Sequence, residues 1–417
     1  MLAPLHLITA GSVDDGKSTL IGRLLLDTGA IFSDQLLELE RISDRTRTEL
    51  NLALFTDGLR AERQQGITID AGYRYFRARD RKVILADTPG HLQFTRNMIA
   101  AASNAEAAVI LVDANRGVTL QTHRHLLLAN LVGVQQFVIC INKIDLCGYQ
   151  KKRFDELTHA LRQFVDTLAK ATYHYVPTSA LFGDNIARAS DQMPWYTGPT
   201  LLDLLETLPN RREAAEFAAF TVQSVIRSGE QEAKRIYAGR MLSGTIETNA
   251  RLIHLPSRRC VNVCGIALGR EDCSTVSSPV SAGIKIEEEL DIARGDLFVA
   301  ANSKLELHRS AETTLCWMSE APLVCGRLYL FQQHTKRSQC VVESVTAHFD
   351  LDSNKWVASK AESLAQNEIG SATLEFSEEL PLMKYASHRA LGAGILIDPV
   401  TNETVAAAMI TKTEAAQ

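Results

Sequence analysis

The octapeptide Gly11-Ser12-Val13-Asp14-Asp15-Gly16-Lys17-Ser18 constrains this chain more than any other segment. It satisfies G-x-x-x-x-G-K-[ST], the pattern of a phosphate-binding loop, and its flanks have the matching character. The apolar run Leu5–Ala10 precedes it, and Ser18-Thr19-Leu20-Ile21-Gly22-Arg23-Leu24-Leu25 reads as the opening of a helix. Glycines let the backbone curl so that its N–H groups face phosphate oxygens, and a helix N-terminus adds the positive end of its dipole. Lys17 is placed to give a cation to the β- and γ-phosphates. The Ser18 hydroxyl can ligate Mg²⁺, a hard ion that keeps most of its waters. Thr19 follows in the same turn and belongs with the nucleotide contacts. A chance match in a Gly-rich loop is the bland alternative, and the strand before and helix after argue against it.

Such a loop joins a strand to a helix, so its surroundings should alternate the two. Residues 5–10, 82–86, 107–112 and 136–141 are short apolar runs rich in Val and Ile. Runs of that length suit central strands of a parallel sheet covered on both faces. Helical patterns lie between them at 17–26, 92–102 and 121–131. The alternation predicts a doubly wound, mainly parallel α/β domain. Residues 33–63 are polar with Leu36, Leu37 and Ile42 at helical spacing, which reads as a helical excursion before a mobile loop. Residues 194–208 read as the domain's last helix and 209–213 as a linker. After Phe217 the pattern changes to short strands at 220–226, 234–242, 251–255 and 262–268, with Gly229, Gly244, Gly283 and Gly295 as turn residues. That spacing predicts β-barrels, and a second break at 303–310 predicts two of them. The expected domains are 1–212, 213–306 and 307–417, which suits a chain of 417 residues.

Three further motifs follow the phosphate loop. Asp87-Thr88-Pro89-Gly90-His91 ends the strand at 82–86. A carboxylate there can hold Mg²⁺ through a water, the Gly90 N–H can sense a γ-phosphate, and His91 is placed to orient the attacking water. Alone, His91 would read as a core or helix-terminal histidine. Gly66-Ile67-Thr68-Ile69-Asp70 lies between the two motifs. The Thr68 hydroxyl can reach Mg²⁺ and its N–H the γ-phosphate, a contact confined to the triphosphate state, which would make the segment a switch. Asn142-Lys143-Ile144-Asp145 follows the strand at 136–141. Asp145 can accept two hydrogen bonds from guanine N1–H and its exocyclic amine, a pair adenine cannot offer. Asn142 can contact the other edge of the base and the Lys143 stem can cover the ring. Ser179-Ala180-Leu181, after a strand at 173–177, would close the base pocket. Each of the shorter motifs is weak by itself; their order makes a Mg²⁺-dependent GTPase the expected activity, with His91, Lys17 and Thr68 in the catalytic roles and Ser18, Thr68 and Asp87 around the metal.

The remaining composition excludes little. Lys and Arg total 44 against 49 Asp and Glu, a net charge of −5. That weakly disfavours a large nucleic-acid footprint, which needs a basic face. No apolar run reaches the ~18 residues of a membrane span, and MLAPLHLITAG lacks the basic start and the length of a signal peptide. A cytoplasmic protein is expected. The eight cysteines include no C-x-x-C pair and no His pair at zinc spacing, which reads as incidental reduced thiols.

With these motifs, the whole chain resembles the translation-factor-like GTPases, in which a G domain precedes two β-barrels. Within that group it is most similar to the GTPase subunits of the bacterial heterodimeric sulfate adenylyltransferases. The residues carrying the resemblance are 11–25, 66–70 with Tyr73-Arg74-Tyr75-Phe76, 87–91 with 93–98, and in the barrels 290–296 and 397–405. Asp15 separates this group from the elongation factors, which usually carry His there. Asp14 matches a position implied to help hold a monovalent cation, and an acid that stabilises the turn is an equal alternative. Gln64 and Leu92 stand where acidic residues are expected, and 251–264 and 269–279 match less well. The resemblance implies that GTP hydrolysis drives or gates the uphill conversion of ATP and sulfate into adenosine 5′-phosphosulfate and pyrophosphate. That chemistry would occur in a small catalytic subunit of sulfate adenylyltransferase, in a heterodimer or an oligomer of heterodimers. The chain itself has no Ser-Gly-Gly-x-Asp-Ser loop and no second phosphate loop in its C-terminal half. The competing reading is a translation factor delivering an aminoacyl-tRNA, which the acidic balance and Asp15 disfavour.

Overall fold

The computed structural model describes residues 3–31, 72–91, 95–168, 171–210, 217–227, 235–303, 305–358 and 363–413. It divides into two compact units, Met1–Arg211 with Asp350–Lys355, and Arg212–Phe349 with Trp356–Gln417. The expected helical excursion at 33–63, the switch segment with Thr68, Gln64 and Leu92 all lie outside the described residues.

The first unit is built on a six-stranded sheet. Its strands are β1 (Leu5–Ala10), β2 (Gly72–Ala78), β3 (Arg81–Asp87), β4 (Ala107–Asp113), β5 (Gln136–Asn142) and β6 (Thr172–Pro177), in the spatial order β2-β3-β1-β4-β5-β6. All neighbours are parallel except β2, which runs antiparallel to β3 at the edge. The sequence reflects this placement. Central β4, Ala-Ala-Val-Ile-Leu-Val-Asp, is buried at every residue, whereas edge strand β2 buries only Phe76 and Ala78. Around the sheet lie α1 (Lys17–Asp27), α2 (Thr95–Ser103), α3 (Leu120–Leu131), α4 (Lys151–Val165) and α5 (Leu201–Thr207). On α4, Leu157, Leu161, Phe164 and Val165 are buried at helical spacing while Lys151 and Lys152 face solvent. Leu20, Leu24, Leu85, Val109 and Leu111 form part of one core, and each such fully buried side chain is worth roughly 1.5–3 kcal/mol.

The last helix is shorter than the expected 194–208. It starts at Leu201 because Thr200 caps it, in a capping box with Asp203, and because Pro199 disfavours helical backbone at the residue before it. It ends on the fully buried Arg81, whose guanidinium donates to the carbonyls of Leu205 (3.2 Å), Glu206 (3.3 Å) and Leu208, satisfying the helix C-terminus. Among the described residues, no helix is long and apolar enough to cross a membrane.

The second unit holds two closed barrels of six strands each. In the first, the order is Arg251–Leu255, Leu297–Ala300, Ala219–Ile226, Ile236–Ser243, Ser281–Ile286 and Arg259–Leu268, with the last pairing back to the first. In the second, it is Leu328–Gln333, Ala393–Ile397, Thr404–Thr413, Leu307–Trp317, Ile369–Pro381 and Lys336–Asp350, again closed. Closure removes the unpaired edges that short strands would otherwise expose. Gly244 (φ +65°) and Gly295 (φ +98°) occupy left-handed turn positions as expected. Gly283 does not: it lies inside the strand Ser281–Ile286, where a Cβ would come within 2.6 Å of Ile236 Cγ2. Close packing, rather than a turn, explains the glycine there.

Candidate nucleotide site

Each motif among the described residues of the first unit follows the carboxyl end of a parallel strand, the edge at which open α/β sheets bind ligands. The 11–18 loop leaves β1, Asp87 ends β3, Asp113 ends β4, Asn142 ends β5 and Ser179 follows β6. The sheet therefore gathers segments far apart in sequence along one edge.

The phosphate loop is held by its own side chains. Asp15 accepts from the Ser12 N–H at 2.7 Å, and Gly16 (φ +93°) supplies the left-handed residue that opens α1. Lys17 is 8% exposed and donates to the carbonyls of Gly11 (2.7 Å) and Ser12 (2.9 Å). Burial pulls its ammonium below the ordinary lysine value, against the opposing fields of Asp87, Asp15 and Asp14. Burial likewise raises the carboxyl of Asp15, against its hydrogen bond from Ser12 and the charge of Lys17. Asp14 is exposed with φ +70°, a left-handed position that Asp tolerates. The Val13 carbonyl accepts from Arg116 at 2.8 Å.

The Asp87–His91 segment packs onto this loop. Asp87 is buried and accepts from the Thr9 hydroxyl at 3.2 Å, while Thr88 donates to the Thr9 carbonyl at 2.5 Å. Pro89 is buried and His91 is exposed. A Cβ on Gly90 would lie 2.3 Å from Lys17 Nζ and 2.5 Å from Gly11 O, so the two motifs touch through a position only glycine can fill. Ser18 stands half-buried at the start of α1.

On the other side lies the candidate base pocket, a cleft of about 190 Å³ lined by Gly16, Thr19, Asn142, Lys143, Asp145, Leu146 and residues 179–181. Asn142 joins its walls: its amide donates to Asp15 O at 2.8 Å, and its Oδ1 accepts from the Ala180 N–H at 2.9 Å and the Thr178 hydroxyl at 3.4 Å. Lys143 has φ +58°, and its ammonium is anchored on Asp113 at 2.9 Å. The ion pair and the N–H groups of Asn115 and Arg116 hold Asp113 below the usual carboxylate range, outweighing its burial. Ile144 is fully buried and Asp145 half-buried at the cleft. The buried hydroxyl of Ser179 has no hydrogen-bond partner among the described residues.

Several contributors were not singled out from the sequence. The Thr119 hydroxyl, which caps α3 with Thr122, lies 3.0 Å from that of Ser12. Gln121 donates to Gly90 O at 3.4 Å and lies 2.9 Å from the buried His125, whose pKa burial lowers to about 3. Only the Thr-x-x-Thr cap before an apolar run had a local signature; the other contacts are products of tertiary packing.

Among the described residues no three His, Cys, Asp or Glu side chains cluster as a metal cage. A magnesium ion carried by a nucleotide does not need one, since phosphate oxygens and water fill most of its shell. The buried Asp87 and the Ser18 hydroxyl are donors of the right hardness for that ion.

Residues 4–211 match the family described as Elongation factor Tu GTP binding domain, and 310–411 match the GTP-eEF1A C-terminal domain-like family. The chain is similar to Sulfate adenylyltransferase subunit 1 of Shewanella oneidensis, 42% identical over 413 residues, covering 97% of this chain and 85% of the relative. Among solved structures, it is similar to the S. cerevisiae Ski7 GTPase-like domain bound to GDP and inorganic phosphate, with a TM-score of 0.53 and 17% identity, covering 98% of this chain and 97% of the other. Sup35 complexed with GDP aligns with a TM-score of 0.46 at 20% identity, covering 100% and 95%. At 17% identity the likeness to Ski7 bears on the fold alone.

Proposed function

The chain belongs to the sulfate adenylyltransferase subunit 1 family, and from that premise we propose that it hydrolyses GTP to drive adenosine 5′-phosphosulfate synthesis from ATP and sulfate in a small catalytic partner subunit. The coupling to sulfate activation rests on the 42% identical relative, and the observation that supports the GTPase part of the reading is the Gly90 contact. It joins the phosphate loop and the Asp87–His91 segment at the sheet edge that also bears the 142–145 cleft. In this reading Lys17 neutralises the β- and γ-phosphates, and residues 11–19 and 87–91 line the phosphate side. Ser18, Thr68 and Asp87 hold Mg²⁺, which screens the charge that develops on the phosphates. His91 orients the attacking water. Asp145 reads guanine, Lys143 covers it, and 179–181 close over it, with the unsatisfied Ser179 hydroxyl available to a polar ligand. A monovalent cation near Asp14 and a cytoplasmic location complete the proposal, with domain limits 1–212, 213–306 and 307–417.

The deciding experiment is a GTPase assay with and without a pyrophosphatase-type adenylyltransferase subunit, ATP and sulfate. Stimulation dependent on all three is expected. Hydrolysis indifferent to them, or tRNA co-purifying with the chain, would sink the coupling.

Two substitutions test the site. Asp145→Asn should shift preference from guanine towards xanthine nucleotides by on the order of 10²-fold or more, because a base-pairing carboxylate is replaced by an amide. Competition binding with GDP and XDP reads this, and an unchanged ratio removes Asp145 from the base pocket. His91→Ala should slow single-turnover hydrolysis roughly 10²- to 10⁴-fold, the range for a lost proton-handling or water-positioning group. GTP affinity should stay near wild type, because the exposed ring does not build the pocket. Equal losses of affinity and rate would mean a structural histidine.

A further inference from the structure

Less than two turns after Lys17, helix α1 presents a side chain that the phosphate chemistry does not use. Arg23 donates through Nε to the carbonyl of Ala180 at 3.3 Å and through Nη2 to the carbonyl of Leu181. Asp27, one turn further along α1, lies 3.8 Å from its Nη1. The aliphatic stem runs past Gly183, where a Cβ would stand 3.5 Å from Arg23 Cδ. Gly183, at φ +86°, closes the turn by donating to Ser179 O at 2.8 Å.

Apolar burial fixes only the start of this turn, where Ala180 is 2% exposed in the core of the first unit. Leu181 and Phe182 are 40% and 57% exposed. Its attachments are polar: Asn142 receives the Ala180 N–H from one side, and Arg23 grips the next two carbonyls from the other. The Ala180 peptide is thus clamped between the base-pocket asparagine and the helix that begins at the phosphate loop.

We propose that Arg23 is a positioning residue for nucleoside recognition, tying the 179–181 loop to α1 so that base and phosphate contacts keep a fixed spacing. The inference rests on the reading of 142–145 and 179–181 as the guanine pocket. It concerns binding of the nucleoside end and leaves the hydrolytic step alone. A guanidinium suits this role because its planar fork holds the Nε and Nη2 donors in a fixed relation, whereas an ammonium is a compact point charge on a flexible stem.

Arg23→Met keeps the stem beside Gly183 and removes the donors. Expected results are a KM for GTP and a Kd for GDP each raised about tenfold, the size of one or two lost net hydrogen bonds. The rate at saturating GTP should remain within about twofold of wild type, because the phosphate contacts are untouched. Arg23→Lys should recover less than half of the loss on a logarithmic scale. Unchanged affinity, a fall in saturating rate without a change in KM, or full rescue by lysine would each overturn the proposal. Arg23→Gln serves as the second donor-poor variant if the Met variant fails to fold. Asp145→Asn, measured beside it, separates the two readings. If Asp145→Asn alters base preference and Arg23→Met does nothing, only the role of Arg23 falls. If Asp145→Asn is silent, the base pocket itself is misassigned.

Discussion

Lys17→Ala is expected to lose GTP binding and hydrolysis together. The ammonium is 8% exposed, bonded to the carbonyls of Gly11 and Ser12, and surrounded by Asp14, Asp15 and Asp87. Truncation removes the buried cation that offsets these acids and would meet the β- and γ-phosphates. Hydrogen bonds to charged groups are each worth about 1.5–3 kcal/mol. Losing two of them predicts roughly a 10²- to 10⁴-fold rise in Kd, at 1.4 kcal/mol for each factor of ten. The substitution also acts on the loop itself. Burial already raises the Asp15 carboxyl, and Lys17 is among the charges that hold it down. Without that charge Asp15 takes up a proton at a higher pH than in the wild type, weakening its grip on the Ser12 N–H as pH falls. Calorimetric titration with GDP and a single-turnover GTPase assay give the two readouts. Normal turnover in this variant would refute the assignment of the phosphate loop.

Much of this architecture is legible in the residues, for identifiable reasons. The run Leu5–Ala10 forms a strand with those same limits because a central parallel strand is buried along most of its length, here at every residue but His6, and the glycine after it ends the run. The alternation before Phe217 and the short strands after it led to an α/β domain and two barrels, because the period of apolar residues reports how many faces an element buries. Position within a strand is harder to read than existence. Gly283 suggested a turn, but the space it leaves is filled by Ile236 from a neighbouring strand, a contact that no local window contains. The shortened α5 shows the opposite case, because Pro199 and the Thr200–Asp203 box that set its start are both legible in the sequence. At the site, the motifs declare themselves through spacing, but Gln121, His125 and Arg23 do not. They act on the carbonyls of Gly90, Ala180 and Leu181, directly or through a neighbour, and backbone partners leave no trace in a sequence.

The other large effect expected is that of Gly90→Ala, the smallest substitution available at the site. The added methyl would meet Lys17 Nζ at 2.3 Å and Gly11 O at 2.5 Å. The lysine tip could rotate away, but only by giving up its bonds to the loop. Gly11 O belongs to the backbone that follows β1 and has no such freedom. The Asp87–His91 segment therefore withdraws from the phosphate loop, which breaks the contact through which a γ-phosphate would be sensed. On the proposed reading GDP does not need that contact and GTP does. The variant should therefore bind GDP within about threefold of wild type, lose on the order of tenfold or more in affinity for a non-hydrolysable GTP analogue, and hydrolyse GTP at least about 10²-fold more slowly, a barrier increase of roughly 2.7 kcal/mol. Comparison with His91→Ala is informative, because removing the imidazole slows hydrolysis without discriminating between the two nucleotides. Equal losses for GDP and the GTP analogue would show that Gly90 only shapes the loop; a selective loss for the triphosphate would identify the Gly90–Lys17 contact as the point where the γ-phosphate is sensed.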